Sequence, residues 1–255
     1  MIHPLTVNAK HNSERLEVVD LAKKYKHLWA VQSISLTLRT GEIVGLLGPN
    51  GSGKTTTFHT IVGLLKANRG HIKLNGSDIS ELPVHKRAQL GIGYLPQAAS
   101  VFRKLTVEEN IKAAIEIQSH LASKQKTDKI EKLIDELKLQ GVRKQLAISL
   151  SGGERRRVEI ARLLAIEPSF MLLDEPFAGI DPIAIGEVQK LTLQFKEQGI
   201  GLLITDHNVR ETLKICDRAY IIYGGEVLCH GSPDEILKNK AARNIYLGSG
   251  FSTTE

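Results

Sequence analysis

Sulfur and aromatic rings are scarce in this sequence. Its 255 residues hold two cysteines and one tryptophan, and aromatics make up 5%. Cys216 and Cys229 have no Cys-x-x-Cys spacing and sit in apolar surroundings, which excludes a zinc site or a disulfide framework. Both read as reduced core or near-core thiols. No apolar run approaches the roughly 18 residues of a bilayer-crossing helix, so any membrane role needs a partner that spans. The polar start "MIHPLTVNAKHNSE" lacks an apolar signal core. Residues 1–14 are therefore expected to be a flexible extension, and the protein is expected in the cytoplasm. The net charge of +6 comes from lysines and arginines spread along the chain, not interleaved with aromatics as a strand-binding groove requires. No nucleic-acid partner is expected, and the basic surface is read as solvated.

What is present is a globular composition, 42% hydrophobic and 24% charged, long enough for one large domain or two modest ones. "RLEVV", "VQSISLTL" and "EIVGLLG" read as strands separated by turns at "KKYKHLW" and "RTG". A helix is expected from Gly53–Thr55 through "TTTFHTIVGLL", then a hairpin at "HIKLNGSDI" and a strand at "GIGYLP". Residues 98 to 166 turn helical, with Ile130, Leu133, Ile134 and Leu137 forming one apolar stripe. From 169 the chain alternates again: strand "FMLLDE", helix 183–198, strand "GIGLLIT", helix 208–216, and strands "RAYIIY" and "EVLCHG". Such alternation implies an α/β fold with a largely parallel sheet covered on both faces, interrupted by an inserted helical subdomain.

Two motifs carry chemistry. "GPNGSGKT", Gly48 to Thr55, follows a predicted strand and opens a helix, the setting a phosphate-binding loop requires. Its glycines let backbone N–H groups converge on phosphate oxygens, Lys54 supplies a point charge, and the Thr55 hydroxyl can join a magnesium shell. "FMLLDE" ends an apolar strand in two carboxylates. Asp174 suits the magnesium shell, and Glu175, pointing the other way, suits activating an attacking water. A third stretch, "SLSGGERRRVEIARLLA", opens a basic helix on glycine, where backbone donors can meet an anion. Ser151 and Glu154 also fit a capping box there, and arginines 155–157 are expected to face solvent or form ion pairs.

"GPNGSGKT", "YLPQ", "LSGGE" at 150–154, "FMLLDE", "AGIDP" at 178–182 and "ITDHN" occur in one order. By these motifs residues 15–240 resemble the nucleotide-binding subunits of ATP-binding-cassette transporters. The resemblance implies a P-loop NTPase core, an antiparallel β subdomain, a helical signature subdomain near 98–166 and a C-terminal tail at 241–255. It also implies a homodimer in which each signature turn, Ser151, Gly152 and Gly153, completes the ATP site of the other copy. ATP and Mg2+ are the implied cofactors. The implied ATP contacts are Gly48, Pro49, Asn50, Gly51, Ser52, Gly53, Lys54, Thr55, Thr56, Gln97 and His207, with Tyr25 stacking on adenine and Trp29 its competitor. Gln97 is implied to reach the magnesium beside Thr55 and Asp174, His207 to contact the γ-phosphate, and Asp181 to bridge the dimer.

Longer stretches, including "GYLPQAASVFRKLTVEENI", "LLDEPFAGIDPI" and "IYLG", are similar to the ATPase subunits of lipopolysaccharide exporters. That likeness implies two transmembrane permeases, docked near Phe102 and Arg103, and a place on the cytoplasmic face of the inner membrane. Branched-chain amino acid importers, a neighbouring branch that also tends to end in "YLG", are the alternative.

Overall fold

The computed structural model describes residues 14–117, 121–179 and 182–247. Residues 1–13 of the expected extension and the last eight tail residues fall outside them, while Glu14 is described and exchanges hydrogen bonds with Thr40. Two strands, β1 (Arg15–Tyr25) and β2 (Leu28–Arg39), form an antiparallel hairpin closed by Lys26 and His27. The expected "KKYKHLW" turn is thus mostly strand, and positive φ at Lys26, 53°, makes the tight reversal. The expected hairpin, β4 (Arg69–Leu74) with β5 (Ser77–Asp78), is present, and its β4 pairs along β1.

The remaining strands complete one ten-stranded sheet, ordered β5-β4-β1-β2-β10-β9-β3-β8-β7-β6. Here β3 is Ile43–Leu47, β6 Ile92–Leu95, β7 Phe170–Asp174, β8 Gly201–Thr205, β9 Arg218–Tyr223 and β10 Glu226–Gly231. β9, β3, β8, β7 and β6 run parallel, and β10 turns back antiparallel on β9. The antiparallel half joins through a single parallel register pair, Glu226 with Ser33.

Every residue of β3, β7 and β8 is buried, because a parallel sheet is covered on both faces. Alternate side chains divide between two cores. Leu172 and Leu203 pack with Phe58 and Ile61 of α1 (Lys54–Val62), while Met171, Leu173 and Leu202 pack with the helical block. In that block α3 (Val107–Ile115), α4 (Ser123–Glu136) and α5 (Gly152–Leu164) bury one apolar face each, including the stripe Ile130, Leu133, Ile134 and Leu137.

α1 stops at Val62, three residues short of the expected end at Leu65. Gly63, at φ 86°, turns the chain away, and Arg87 of α2 (Val84–Gln89) seals the exit. Its guanidinium donates to the carbonyls of Thr60 at 2.7 Å, Ile61 at 2.6 Å, Leu82 at 2.8 Å and Ser80 at 2.6 Å, replacing the bonds a helix end leaves open. After β7 come α6 (Pro182–Glu197) and α7 (Val209–Leu213); α7 is shorter than the expected 208–216. A helix absent from the sequence reading, α8 (Pro233–Lys238), is capped by Ser232 and packs beside β10.

Candidate functional site

Strand β3 delivers the chain into Gly48, where a side chain is impossible: a Cβ there would stand 2.2 Å from the Ile222 carbonyl. Gly53, at φ 106°, faces the same limit 2.5 Å from the Ala30 carbonyl. The loop between them leads straight into α1, whose N-terminus carries the partial positive charge that favours phosphate. Lys54 is buried, and its ammonium donates to the carbonyls of Gly48 at 2.7 Å and Pro49 at 2.9 Å. Burial lowers its pKa, and the carboxylates of Glu175 and Asp174 partly offset that. Asn50, Gly51 and Thr55 are exposed, Pro49, Gly53 and Thr56 partly so, while the hydroxyl of Ser52 is buried without a hydrogen-bond partner. A buried donor left open beside converging amides fits a phosphate-bearing ligand.

At the end of β7 the two carboxylates separate. Asp174 is buried and accepts from Thr205 at 2.6 Å and from Tyr94 at 3.4 Å. Burial and the charge of Asp174 push the Tyr94 hydroxyl up, so it stays a proton donor. Glu175 leaves the strand with φ 48°, in the left-handed region that a side chain rarely enters, and its N–H donates to the Thr205 carbonyl at 2.8 Å. Both its oxygens are engaged: Gln97 Nε2 donates to Oε2 at 2.6 Å, and His207 Nε2 lies 2.6 Å from Oε1. The carboxylate is 9% exposed, the imidazole 52%. Gln97, Glu175 and His207 therefore come together, three strands' ends meeting at one point.

Below His207, the buried Asp206 accepts from the N–H groups of Phe177 at 2.9 Å and Asn208 at 2.8 Å, and burial raises its pKa. Tyr246, just before the described chain ends, packs on a small core with Leu47 and Leu213, and burial raises its pKa. No spacing in the sequence marks this contact, which arises because the C-terminal segment folds back onto that cluster.

Among the described residues no group of three or more His, Cys, Asp or Glu side chains is placed to hold a metal. The donors present are one hydroxyl, Thr55, one carboxylate, Asp174, and the amide of Gln97. That set fits magnesium, which keeps most of its water and takes further oxygens from a nucleotide.

The signature turn stands apart, on α5. Ser151 caps that helix in a box with Glu154, as expected; Ser151 and Gly152 are exposed and Gly153 partly so, with no atom near a would-be Cβ on either glycine. Arg156 and Arg157 are ion-paired, to Glu159 and Glu187, but Arg156 is buried, not solvent-facing. Tyr25 is 44% exposed at the end of β1, and Trp29 lies under the cations of Lys24 and Arg69. Phe102 is 49% exposed; it borders a cleft of about 260 Å3 with Ile117, Arg162 and Ile166. Arg103 is exposed and lines a smaller hollow with Ile148 and Arg155. Asp181 lies outside the described residues.

Residues 31–178 match the family model described as "ABC transporter". Over 236 residues, covering 92% of this chain and 98% of the relative, the sequence is 52% identical to a Haemophilus influenzae protein named lipopolysaccharide export system ATP-binding protein LptB. The protein of that name from Escherichia coli K12 is 50% identical over the same shares. Among solved structures, the ADP conformation of an ATP-binding cassette of an ABC transporter superposes with a TM-score of 0.82 at 27% identity, covering 92% of this chain and 99% of that one. No described helix is long and apolar enough to cross a membrane. The phosphate loop, the strained glutamate beside it and these likenesses agree: the chain belongs to the ABC transporter family, as an ATP-binding cassette that hydrolyses ATP.

Proposed function

We propose that this cassette powers lipopolysaccharide extraction from the inner membrane for export to the outer membrane. It works as a head-to-tail homodimer on the cytoplasmic face, beneath two transmembrane permeases. The cargo reading rests on the relatives named for lipopolysaccharide export, which share about half their residues with this chain over nearly its whole length. Hydrolysis rests on one observation above all: the buried Glu175 carboxylate is held at both oxygens beside Lys54.

Lys54 and the loop amides bind the β- and γ-phosphates, and Tyr25 supports the adenine. Thr55, Asp174 and Gln97 would hold magnesium, which when bound neutralises phosphate charge. Ser151 and the N–H groups of Gly152 and Gly153 reach the γ-phosphate of the partner's ATP, so closure is driven by differential affinity for the closed dimer. On closure His207 turns from Glu175 to the γ-phosphate, which frees Oε1. Glu175 then takes a proton from the attacking water as its oxygen bonds to phosphorus and the bond to ADP breaks. The cleft beside Phe102, with Arg103 at its edge, receives a permease helix, since an exposed ring beside a cation makes a natural anchor.

The test is affinity purification of this subunit from its own membranes in mild detergent, followed by mass spectrometry. Two six-helix permeases with bound lipopolysaccharide support the proposal. Permeases accompanied by a periplasmic amino-acid-binding protein would overturn the cargo. Absence of any membrane protein would overturn the transporter role and leave the ATPase.

A further inference from the structure

Asp174 receives a hydroxyl from each strand flanking it. Thr205, its register partner on β8, donates to Oδ1 at 2.6 Å. Tyr94, reaching from β6 on the other side, donates to Oδ2 at 3.4 Å. The same hydroxyl lies 3.1 Å from Nε2 of His59, whose ring meets the tyrosine edge-on at 87°. A phenol has one proton; given to the carboxylate, it leaves the oxygen to accept, so His59 must carry its hydrogen on Nε2. A chain of donors therefore runs from α1, the helix the phosphate loop opens, to Asp174. Its last link is long, too weak to add much stability but directional enough to bias a carboxylate whose terminal torsion is otherwise broad.

We propose that Tyr94 and His59 are positioning residues, which orient the Asp174 carboxylate for magnesium and tie that orientation to the seating of the phosphate-loop helix. The inference rests on the reading of Asp174 as the magnesium carboxylate. Partners one shell behind a metal ligand typically change metal affinity by about tenfold or more when removed. Thr205 alone would leave Oδ2 unheld, so loss of Tyr94 acts on the metal and spares nucleotide contacts made by the loop.

The experiment measures binding of a fluorescent ATP analogue to the full chain, in EDTA and across a magnesium titration, with manganese in parallel. Tyr94→Phe should bind as the parent does in EDTA and need about threefold more magnesium to reach the metal-dependent affinity, less than the usual range because its bond to Asp174 is long. His59→Leu should shift the same midpoint by less, and His59→Gln, which keeps a donor, should restore most of it. Asp174→Asn is the reference. If Asp174→Asn moves the magnesium midpoint and Tyr94→Phe does not, Tyr94 only packs and the inference fails. An equal loss in EDTA for Tyr94→Phe also overturns it, because that marks a general structural defect. If Asp174→Asn itself leaves the midpoint unmoved, the underlying reading of Asp174 falls first. Should Tyr94→Phe fold poorly, His59→Leu decides: an unmoved midpoint sinks the proposal.

Discussion

The guanidinium of Arg156 donates to the carbonyl of Pro96 at 3.0 Å, one residue before Gln97. Arg156 also pairs with the buried Glu159, whose other oxygen accepts from the Ser100 N–H at 2.6 Å. The signature helix thus grips the Gln97 loop at both ends. Truncating one partner strands the other charge inside, so Arg156→Met should cost about 3 kcal/mol of unfolding free energy. Adding Glu159→Gln should recover part of that. Denaturant titrations of the two single variants and the double variant measure it; simple additivity would rule out the coupling.

Glu175→Gln removes the proton acceptor and keeps the shape. ATP turnover should fall by about a hundredfold or more, while nucleotide binding persists. With ATP and magnesium the variant should elute from a sizing column as a long-lived dimer. A monomer under those conditions would count against the composite site.

Tyr25 and Trp29 compete for the adenine. Trp29 is covered by two cations, Lys24 and Arg69, at 5.3 Å each from its ring centroid, whereas Tyr25 carries one, Lys23, at 5.6 Å. Tyr25→Ala should weaken ATP binding by about fivefold, the scale of a lost ring stack near 1 kcal/mol. Trp29→Ala should weaken it less, and calorimetric titration of both variants ranks them.

Phe102 touches the cleft and Arg162, whose guanidinium carbon sits 4.4 Å from the ring centroid. Its backbone bonds run to Asn110 and Leu105, within the helical block. Phe102→Ala should leave ATPase activity of the isolated subunit unchanged and abolish transport in the assembled complex. Equal losses in both assays would make the ring a structural element.

Acid should loosen the helical block. Hydrogen bonds from Arg143 and Lys144 hold the Glu108 carboxyl down at about 2, against an ordinary 4.5. A depressed carboxyl stabilises the fold fully above the ordinary value of 4.5, and that contribution fades as pH drops toward 2. The stability gap between the parent and Glu108→Gln should therefore close across that window. A gap independent of pH would show that charge plays no part.

Fixed spacing made the phosphate loop, the paired carboxylates and the capped signature turn legible in the sequence, since each is local. The sheet's two-sided burial followed from the apolar runs "FMLLD" and "GLLIT" in the same way. Partnerships across the topology were not legible. Gln97 and Glu175 stand 78 residues apart and meet only because β6 lies beside β7. His59 looked like an ordinary helix residue, and its value lies in Tyr94, reached across the sheet. Arg87 had no visible carboxylate to mark it, because its partners are backbone carbonyls. The overlong reading of α1 has the same root.

The sheet's order also carries a consequence for synthesis. β9 and β10, Arg218–Tyr223 and Glu226–Gly231, are inserted between β2 and β3, which lie near the chain's beginning. A nascent chain that has not yet released those strands holds two half-sheets with facing raw edges. Such edges invite pairing with other chains. The ribosome must therefore deliver the last strands before the first ones can be joined, and this cassette should depend on chaperones until Gly231 has emerged.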